Sequence, residues 1–343
     1  MSGTTHAHIR RAAAVALTLA VGLCLALTGC TSEAKGSGKW SSDTLNIDFA
    51  TYSPLSLIIK DQGWIETTLG DDVTVNWIQS AGSNKANELL RSGSVDVGST
   101  AGSAALLAKA NGSPIQTIAL YDQPEWSAVV VAKDSPIKTV ADLKGHSIAA
   151  TKGTDPYFFL VQALDANGLS LSDVTIQNLQ HADGRVALEN GAVDAWAGLD
   201  PMMADSEINA GSRLIYRNVD FNTYGFLNAR EDFIENHADL AQVVVDAYEK
   251  ARQWSSDHQD ETAQILADAA GIKLDVATKV ITERTHLTVP AAPGQKQLDV
   301  LKVVGPIFVK SGDIASQDQI DKALGELLND TFAKKADASK IVG

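Results

Sequence analysis

Residues 93–102 read Gly93-Ser94-Val95-Asp96-Val97-Gly98-Ser99-Thr100-Ala101-Gly102. The β-branched residues Val95 and Val97 indicate a strand, and the small residues after them indicate a tight turn into a helix over 104–110. The N–H groups of a first helical turn lack partners within the helix and lie at the positive end of its dipole, so they attract anions. We therefore expect Ser99 and Thr100 either to hold an anion or only to cap their own helix.

A second copy of this pattern lies further along the chain. Residues 188–194 repeat residues 90–96, with glycine, valine and aspartate at matching places. The second copy also indicates a turn and a helix start, at Trp196-Ala197-Gly198-Leu199-Asp200-Pro201. Two similar βα units predict two similar lobes, and a site between them would have helix N-termini facing it from both sides.

Composition narrows the class of protein. The chain has 343 residues, of which 45% are hydrophobic and 20% charged. That length allows about two domains with a sizeable core. The formal net charge of −14 argues against nucleic-acid binding, which needs a basic face.

The N-terminus has the pattern of a secretory signal. Arg10 and Arg11 precede an apolar run over 12–27, which is too short for a membrane span. The run ends in Leu27-Thr28-Gly29-Cys30, which resembles the bacterial lipobox, whose cysteine is lipidated and becomes the first mature residue. An ordinary signal peptide with a chance cysteine is the alternative.

We accordingly expect a signal peptide over 1–29, lipidation at Cys30 and a flexible tether over 30–42. The mature protein would be extracytoplasmic and held at the membrane through its lipid anchor only. Cys24 leaves with the signal, so the mature chain has no thiol pair, which excludes disulfides and cysteine-based metal sites.

The rest of the chain alternates between strand and helix patterns. Strands are predicted at 45–49, 73–78, 115–120 and 128–132, with helices between them, and this order predicts a parallel sheet covered by helices. The same order restarts after Ser135-Pro136, and the remainder from residue 234 is largely helical.

Three stretches together resemble the substrate-binding proteins of ABC importers, in the group that serves aliphatic sulfonates, taurine and nitrate. They are residues 93–100, residues 135–145, and residues 191–196 continuing to Asp200-Pro201. The resemblance implies an α/β fold of the periplasmic-binding-protein type II: two Rossmann-like lobes, a central ligand cleft and two hinge crossings. It places lobe 1 in residues 43–131 and 225–343 and lobe 2 in residues 132–224, with crossings near 129–132 and 223–226.

The resemblance also implies a function and a set of site residues. The protein would capture a small sulfonate, an alkanesulfonate or taurine, and deliver it to a membrane permease, as a monomer without a cofactor or metal. Hydroxyl and N–H groups would hold the anion, and aromatic faces would cover its carbon tail. The positions that match the family's ligand pocket are Tyr52, Ser53, Ser99, Thr100, Gly153, Thr154, Trp196, Asp200 and Tyr224.

Two aspartates depart from a simple anion site. Asp155 and Asp200 each precede a proline, a pattern typical of helix capping. A carboxylate that faces the ligand would instead indicate an amine on that ligand. We expect Asp155 to cap its helix, and Asp200 both to cap and to face the cleft.

Other functions remain open at this point. An α/β enzyme could keep this fold, but Gly98-Ser99-Thr100-Ala101-Gly102 has threonine where a serine nucleophile is needed, and the histidines are scattered. A binding protein of the same fold for nitrate or a thiamine-precursor pyrimidine, or an extracellular sensor domain, is also compatible with the sequence.

Overall fold

The computed structural model describes residues 39–343. The predicted signal peptide, the predicted lipidation site Cys30 and the first part of the predicted tether lie outside these residues. No helix within 39–343 is long and apolar enough to cross a membrane. In the same range, no group of three or more His, Cys, Asp or Glu side chains is arranged to hold a metal ion.

The first of two five-stranded sheets has the strand order β2-β1-β3-β10-β4. Its strands are β1 (Thr44–Phe49), β2 (Thr74–Gln79), β3 (Val97–Ala101), β4 (Ile115–Asp122) and β10 (Gly225–Arg230). Strand β1 pairs in parallel with β2 and β3, whereas β10 is antiparallel to both of its neighbours.

The second sheet repeats this arrangement in the order β7-β6-β8-β5-β9. Its strands are β5 (Ser127–Val131), β6 (Ser147–Ala150), β7 (Thr175–Asn178), β8 (Ala195–Leu199) and β9 (Arg213–Tyr216). Here β6 is parallel to β7 and β8, and β5 is antiparallel to β8 and β9. The two-lobe α/β fold is therefore confirmed, but the expectation of purely parallel sheets is wrong, because each sheet takes in one antiparallel strand.

Helices cover both sheets. They are α1 (Pro54–Gln62), α2 (Trp64–Leu69), α3 (Ser83–Ser92), α4 (Gly102–Ala110), α5 (Asp155–Ala166), α6 (His181–Glu189), α7 (Met202–Asp205), α8 (Glu231–Asn236), α9 (Ala238–Asp257), α10 (Gln259–Ala270), α11 (Leu274–Lys279), α12 (Gln295–Lys310) and α13 (Gln317–Glu326). In the C-terminal part, α9 packs on α1, and α12 and α13 pack on α4.

The chain crosses between the sheets twice, from β4 to β5 and from β9 to β10. The first crossing is residues 123–126 and the second is residues 217–224. The predicted boundary of lobe 1 at residue 131 is wrong in this detail, because Ser127–Val131 pairs within the second sheet. An apolar β-strand has the same sequence pattern in either sheet, so its partner decides the lobe.

Two predicted turns are strands in the structure. Ser99 and Thr100 lie within β3, where both are fully buried, and Ala101 is the N-cap of α4. Trp196 to Leu199 likewise form β8. The expectation that Ser99 or Thr100 caps a helix is therefore wrong.

The end of the predicted tether is held in place. Trp40 Nε1 donates a hydrogen bond to the Leu69 carbonyl at 3.1 Å. The Ser41 N–H donates to Asp239 Oδ2 at 2.8 Å. Trp40 and Ser41 are therefore not part of a flexible tether, because these contacts fix them against the folded domain.

Candidate functional site

The carboxylate of Asp155 links elements of both lobes. Its Oδ1 accepts from the hydroxyls of Ser103 at 2.6 Å and Thr223 at 2.7 Å. Its Oδ2 accepts from Trp126 Nε1 and from the Thr223 N–H, both at 2.8 Å. Ser103 lies in the first turn of α4, whereas Trp126 and Thr223 lie on the two crossings.

Asp155 is therefore not the helix cap that the sequence predicts. It is the first residue of α5, and no side chain within residues 39–343 caps that helix. Burial raises the pKa of Asp155, and the hydrogen bonds from Ser103, Trp126 and Thr223 oppose that rise. The side chain holds the start of α5 against the start of α4, which brings the two lobes together.

Tyr52 and Ser99 belong to a second buried network. The Tyr52 hydroxyl donates to the Ser99 carbonyl and contacts the Ser80 hydroxyl, each at 3.0 Å. Asp48 accepts from the Ser99 N–H at 2.8 Å and from Ser80 Oγ at 2.7 Å. Burial raises the pKa of Asp48 to about 7. The structure thus brings two predicted site residues together, with their polar atoms engaged by the protein.

Thr100 is engaged in the same way. Its Oγ1 donates to the Ala101 carbonyl at 2.9 Å and accepts from Asn228 Nδ2 at 2.8 Å. Asn228 lies on the neighbouring strand β10. The hydroxyl therefore stabilises the pairing of β3 with β10.

Ser53 and Tyr224 differ from these residues. Both are buried, and their hydroxyl oxygens have no hydrogen-bond partner within residues 39–343. Ser53 is the residue before α1, and Tyr224 ends the second crossing, where its carbonyl accepts from the Gly102 N–H at 2.9 Å. The Tyr224 hydroxyl lies close enough to Lys296 to raise the pKa of that lysine. Ser53 lies beside the hydroxyl of Tyr248. Ligand contact at these two hydroxyls stays a prediction.

Gly153 and Thr154 lie where β6 leads into α5. Gly153 has a φ of 78°, and a Cβ added there would lie 3.6 Å from Asn84 Cβ, across in α3. A surface cavity of 440 Å³ reaches Gly153, and Asn84, Leu107 and Asn111 line it too. Thr154 is the N-cap of α5, but its hydroxyl donates to the Thr151 carbonyl at 2.6 Å.

Trp196 lies in the core of the second lobe. Its ring is fully buried and packs with Ala149, Leu188, Val193 and Met203. A Cβ on Gly184 of α6 would lie 3.0 Å from the ring, which explains the glycine there. Packing accounts for the ring, but its buried Nε1 has no hydrogen-bond partner among residues 39–343, and its contact with a ligand stays a prediction.

Asp200 pairs with a residue that the sequence reasoning missed. Both of its carboxylate oxygens accept from Arg284 Nη1, at 3.0 and 3.1 Å, and Oδ1 also accepts from the Ala204 N–H at 2.9 Å. Arg284 is 1% exposed and also contacts Glu207. Burial raises the pKa of Asp200 to about 6, and Arg284 opposes the rise. Asp200 thus supports α7 as expected, but Arg284 takes the place expected for a ligand amine.

His181 and Asn84 are further candidate site residues that were not predicted from the sequence. His181 is the first residue of α6, is 1% exposed, and has no hydrogen-bond partner for either ring nitrogen among the described residues. Asn84 Oδ1, in the first turn of α3, is likewise unpartnered there. No local pattern marked either residue, because the surroundings that make them notable arise only on folding.

Several known proteins resemble this chain. A protein of Escherichia coli (strain K12) named as an aliphatic sulfonates-binding protein is 29% identical over 251 residues, which cover 73% of this chain and 78% of that one. A protein of Bacillus subtilis (strain 168) with the same name is 27% identical over 332 residues, covering 93% and 96%.

Solved structures resemble it as well. The periplasmic aliphatic sulphonate binding protein SsuA from Escherichia coli matches with a TM-score of 0.72 and 26% identity, over 85% of this chain and 94% of that one. The desulfurization enzyme DszB matches with a TM-score of 0.63 and 14% identity, over 86% and 98%, which shows a shared fold alone.

A family model described as NMT1/THI5 like matches residues 61–262. This match spans more than half of the chain, including most of the first sheet, both crossings and the whole second sheet. The chain belongs to the NMT1/THI5 like family.

Proposed function

We propose that this protein is the extracytoplasmic substrate-binding component of an ABC importer and that it captures an alkanesulfonate between its two lobes. The relatives named for binding aliphatic sulfonates cover most of this chain. The two sheets joined by two crossings supply an architecture that can close on a ligand by a hinge.

The observation that carries the proposal is a set of buried polar atoms that the described part of the protein leaves without partners. Buried polar groups are normally hydrogen-bonded, so an unpartnered group at a helix start points to a ligand. At or beside helix starts these atoms are Ser53 Oγ, Asn84 Oδ1, and Nδ1 and Nε2 of His181; others, such as Trp196 Nε1 and Ser255 Oγ, lie elsewhere. The Ser53 hydroxyl and the His181 ring can each donate a hydrogen bond to a sulfonate oxygen.

The carboxylates favour a plain alkanesulfonate over taurine. Asp155 already accepts four hydrogen bonds, and both oxygens of Asp200 face Arg284. Neither carboxylate is free to pair with an amine. The protein therefore offers the sulfonate end of taurine a site and its ammonium end no partner.

Membrane attachment through Cys30 is part of the proposal and rests on the sequence Leu27-Thr28-Gly29-Cys30. The lipid would keep the protein beside its permease. We propose that it acts as a monomer, since the two lobes of one chain supply every group named above.

An enzyme with this fold is the alternative, because DszB shares it. Nucleophilic catalysis needs a serine or cysteine activated by a hydrogen-bonded base. Within residues 39–343 there is no cysteine, and Ser53 Oγ has no hydrogen-bond partner. Ser53 therefore lacks the base that a serine nucleophile needs.

A thermal-shift titration with ethanesulfonate, taurine, nitrate and a hydroxymethylpyrimidine tests the proposal. A ligand at a hundredfold excess over its Kd stabilises the folded protein by about 2.7 kcal/mol. We expect the largest rise in melting temperature with ethanesulfonate and a smaller one with taurine. A rise with nitrate or the pyrimidine alone would contradict the proposal, and sulfite release during incubation would establish an enzyme.

A further inference from the structure

His181 faces the start of a helix from the other lobe. It begins α6, and it lies beside Gly82, the N-cap of α3. A Cβ added to Gly82 would lie 3.2 Å from His181 Nε2 and 2.9 Å from Asn84 Oδ1. Glycine thus lets the histidine ring approach the start of α3, and two helix N-termini lie on either side of one imidazole.

The polar atoms at this point have no partners in the described protein. They are both ring nitrogens of His181, Asn84 Oδ1 and Gln180 Oε1. An imidazole always carries at least one N–H donor, and burying that donor unpaired is costly. The N–H groups at the starts of α3 and α6 add positive potential to the same place.

We propose that His181 binds the anionic group of the ligand between the starts of α3 and α6, and that it takes up a proton as the anion binds. This inference rests on the proposed function and names a residue and a proton for the same site. The proton comes from solvent and adds to the free ring nitrogen, giving an imidazolium that donates from both nitrogens. A sulfonate is a very weak base, so it brings no proton itself.

Burial, together with the positive potential of the two helix starts, keeps His181 neutral without a ligand. Burial lowers the pKa of His181 to about 3, and no charged side chain contributes to that shift. Most charged groups on the neighbouring elements are paired elsewhere: Lys85 with Glu88 on α3, Arg185 with Glu189 and Asp205 on α6 and α7, and Glu207 with Arg284. Arg91 at the C-terminal end of α3 and Asp183 on α6 are exposed.

An anion beside the ring favours the charged imidazolium and raises its pKa. Binding and protonation then support each other, so affinity increases as the pH falls. If binding takes up one proton, Kd becomes about tenfold smaller for each unit by which the pH is lowered. This holds between the His181 pKa of the bound protein and that of the free protein. Asp48, whose pKa is raised to about 7, could add to this dependence, so the histidine must be tested directly.

Calorimetric titration of ethanesulfonate across about pH 5 to 8 tests the proposal, in two buffers with different ionisation enthalpies so that proton uptake is counted. We expect wild type to take up protons on binding, up to one per ligand, and to bind more tightly at low pH. His181→Gln should bind more weakly with most of the uptake lost. His146→Gln is the matched control, because His146 is exposed beside Asp194 and should leave both quantities unchanged.

A second measurement needs no variant. In the wild-type protein, ¹³C-labelled histidine side chains followed by NMR should show one histidine that titrates only when ethanesulfonate is bound. Tight binding with no proton uptake and no such titration would overturn the role of His181 while leaving sulfonate binding intact. Absence of ethanesulfonate binding at every pH would instead overturn the proposed function itself.

Discussion

Asp96 and Asp194 make the same hydrogen bond in the two different sheets. The Asp96 carboxylate accepts from the Asn46 N–H at the first strand of its sheet, and the Asp194 carboxylate accepts from the Ser147 N–H in the corresponding place, each at 2.8 Å. Gly93 and Gly191, three residues before them, both adopt positive φ, at 72° and 70°. The repeat read in the sequence is therefore a repeat in structure, and it places helix starts of both lobes against one another.

Replacing Asp155 distinguishes a link between lobes from a helix cap. Asp155→Leu leaves Trp126 Nε1 and the Thr223 N–H buried without an acceptor, and we expect a loss of about 2–4 kcal/mol in the free energy of unfolding. Asp155→Asn should cost much less, because its oxygen can face those two donors while its NH₂ donates to the hydroxyls of Ser103 and Thr223.

Urea unfolding gives both values. The control is Asp165→Leu, since Asp165 is exposed and pairs only with Lys310 at the surface. A cost for Asp155→Leu as small as that of the control would contradict the assignment.

Arg284 should matter more at neutral pH than in acid. Arg284→Gln removes the cation that opposes the burial of Asp200, so the pKa of Asp200 rises further above about 6. A carboxyl group whose pKa is higher folded than unfolded costs stability above the folded value, and that cost disappears as the pH falls below the unfolded value. We expect the variant to lose about 3–5 kcal/mol at neutral pH and less at about pH 5.

Denaturant melts at both pH values check this, and adding Asp200→Asn to Arg284→Gln should recover part of the loss at neutral pH. An equal loss at both pH values, with no recovery, would show that Asp200 does not carry the effect.

Ser53→Ala and Thr100→Val should separate ligand contact from fold stability. The Ser53 hydroxyl has no partner in the described protein, so its loss should weaken ethanesulfonate binding by about ten- to a hundredfold with little change in stability. The Thr100 hydroxyl is engaged by Asn228 and the Ala101 carbonyl, so Thr100→Val should lower stability by about 1–3 kcal/mol and leave affinity unchanged. If calorimetry instead shows weaker ethanesulfonate binding by Thr100→Val, with its melting temperature unchanged, Thr100 contacts the ligand.

Cell fractionation tests the anchor. Cys30→Ser should release the protein from the membrane or block its processing, because the lipid attaches at that sulfur. Cys24→Ser, inside the predicted signal, should fractionate and migrate like wild type. If both variants behave like wild type, Cys30 carries no lipid.

Local sequence patterns predict much of the fold. The alternation at 45–49 correctly predicted β1, since this pattern depends on neighbouring residues alone. The antiparallel strands β5 and β10 were not predictable as such, because their partners lie far away in the chain.

Large separations along the chain also limit how much of the site can be predicted from sequence. Thr100 meets Asn228, Asp155 meets Thr223, and Asp200 meets Arg284, and each pairing arises only on folding. A threonine or aspartate at a helix start looks alike whether it faces a ligand or a distant side chain. The sequence therefore predicts where along the chain these polar residues lie, but it does not predict which side chain each of them contacts.

Calorimetric titration of the purified wild-type protein with ethanesulfonate at neutral pH shows whether the protein captures a sulfonate. We expect saturable binding of one ethanesulfonate per chain, with nitrate unable to displace it at equal concentration. No binding of any alkanesulfonate by the folded protein, or binding of nitrate in its place, would rule out sulfonate capture.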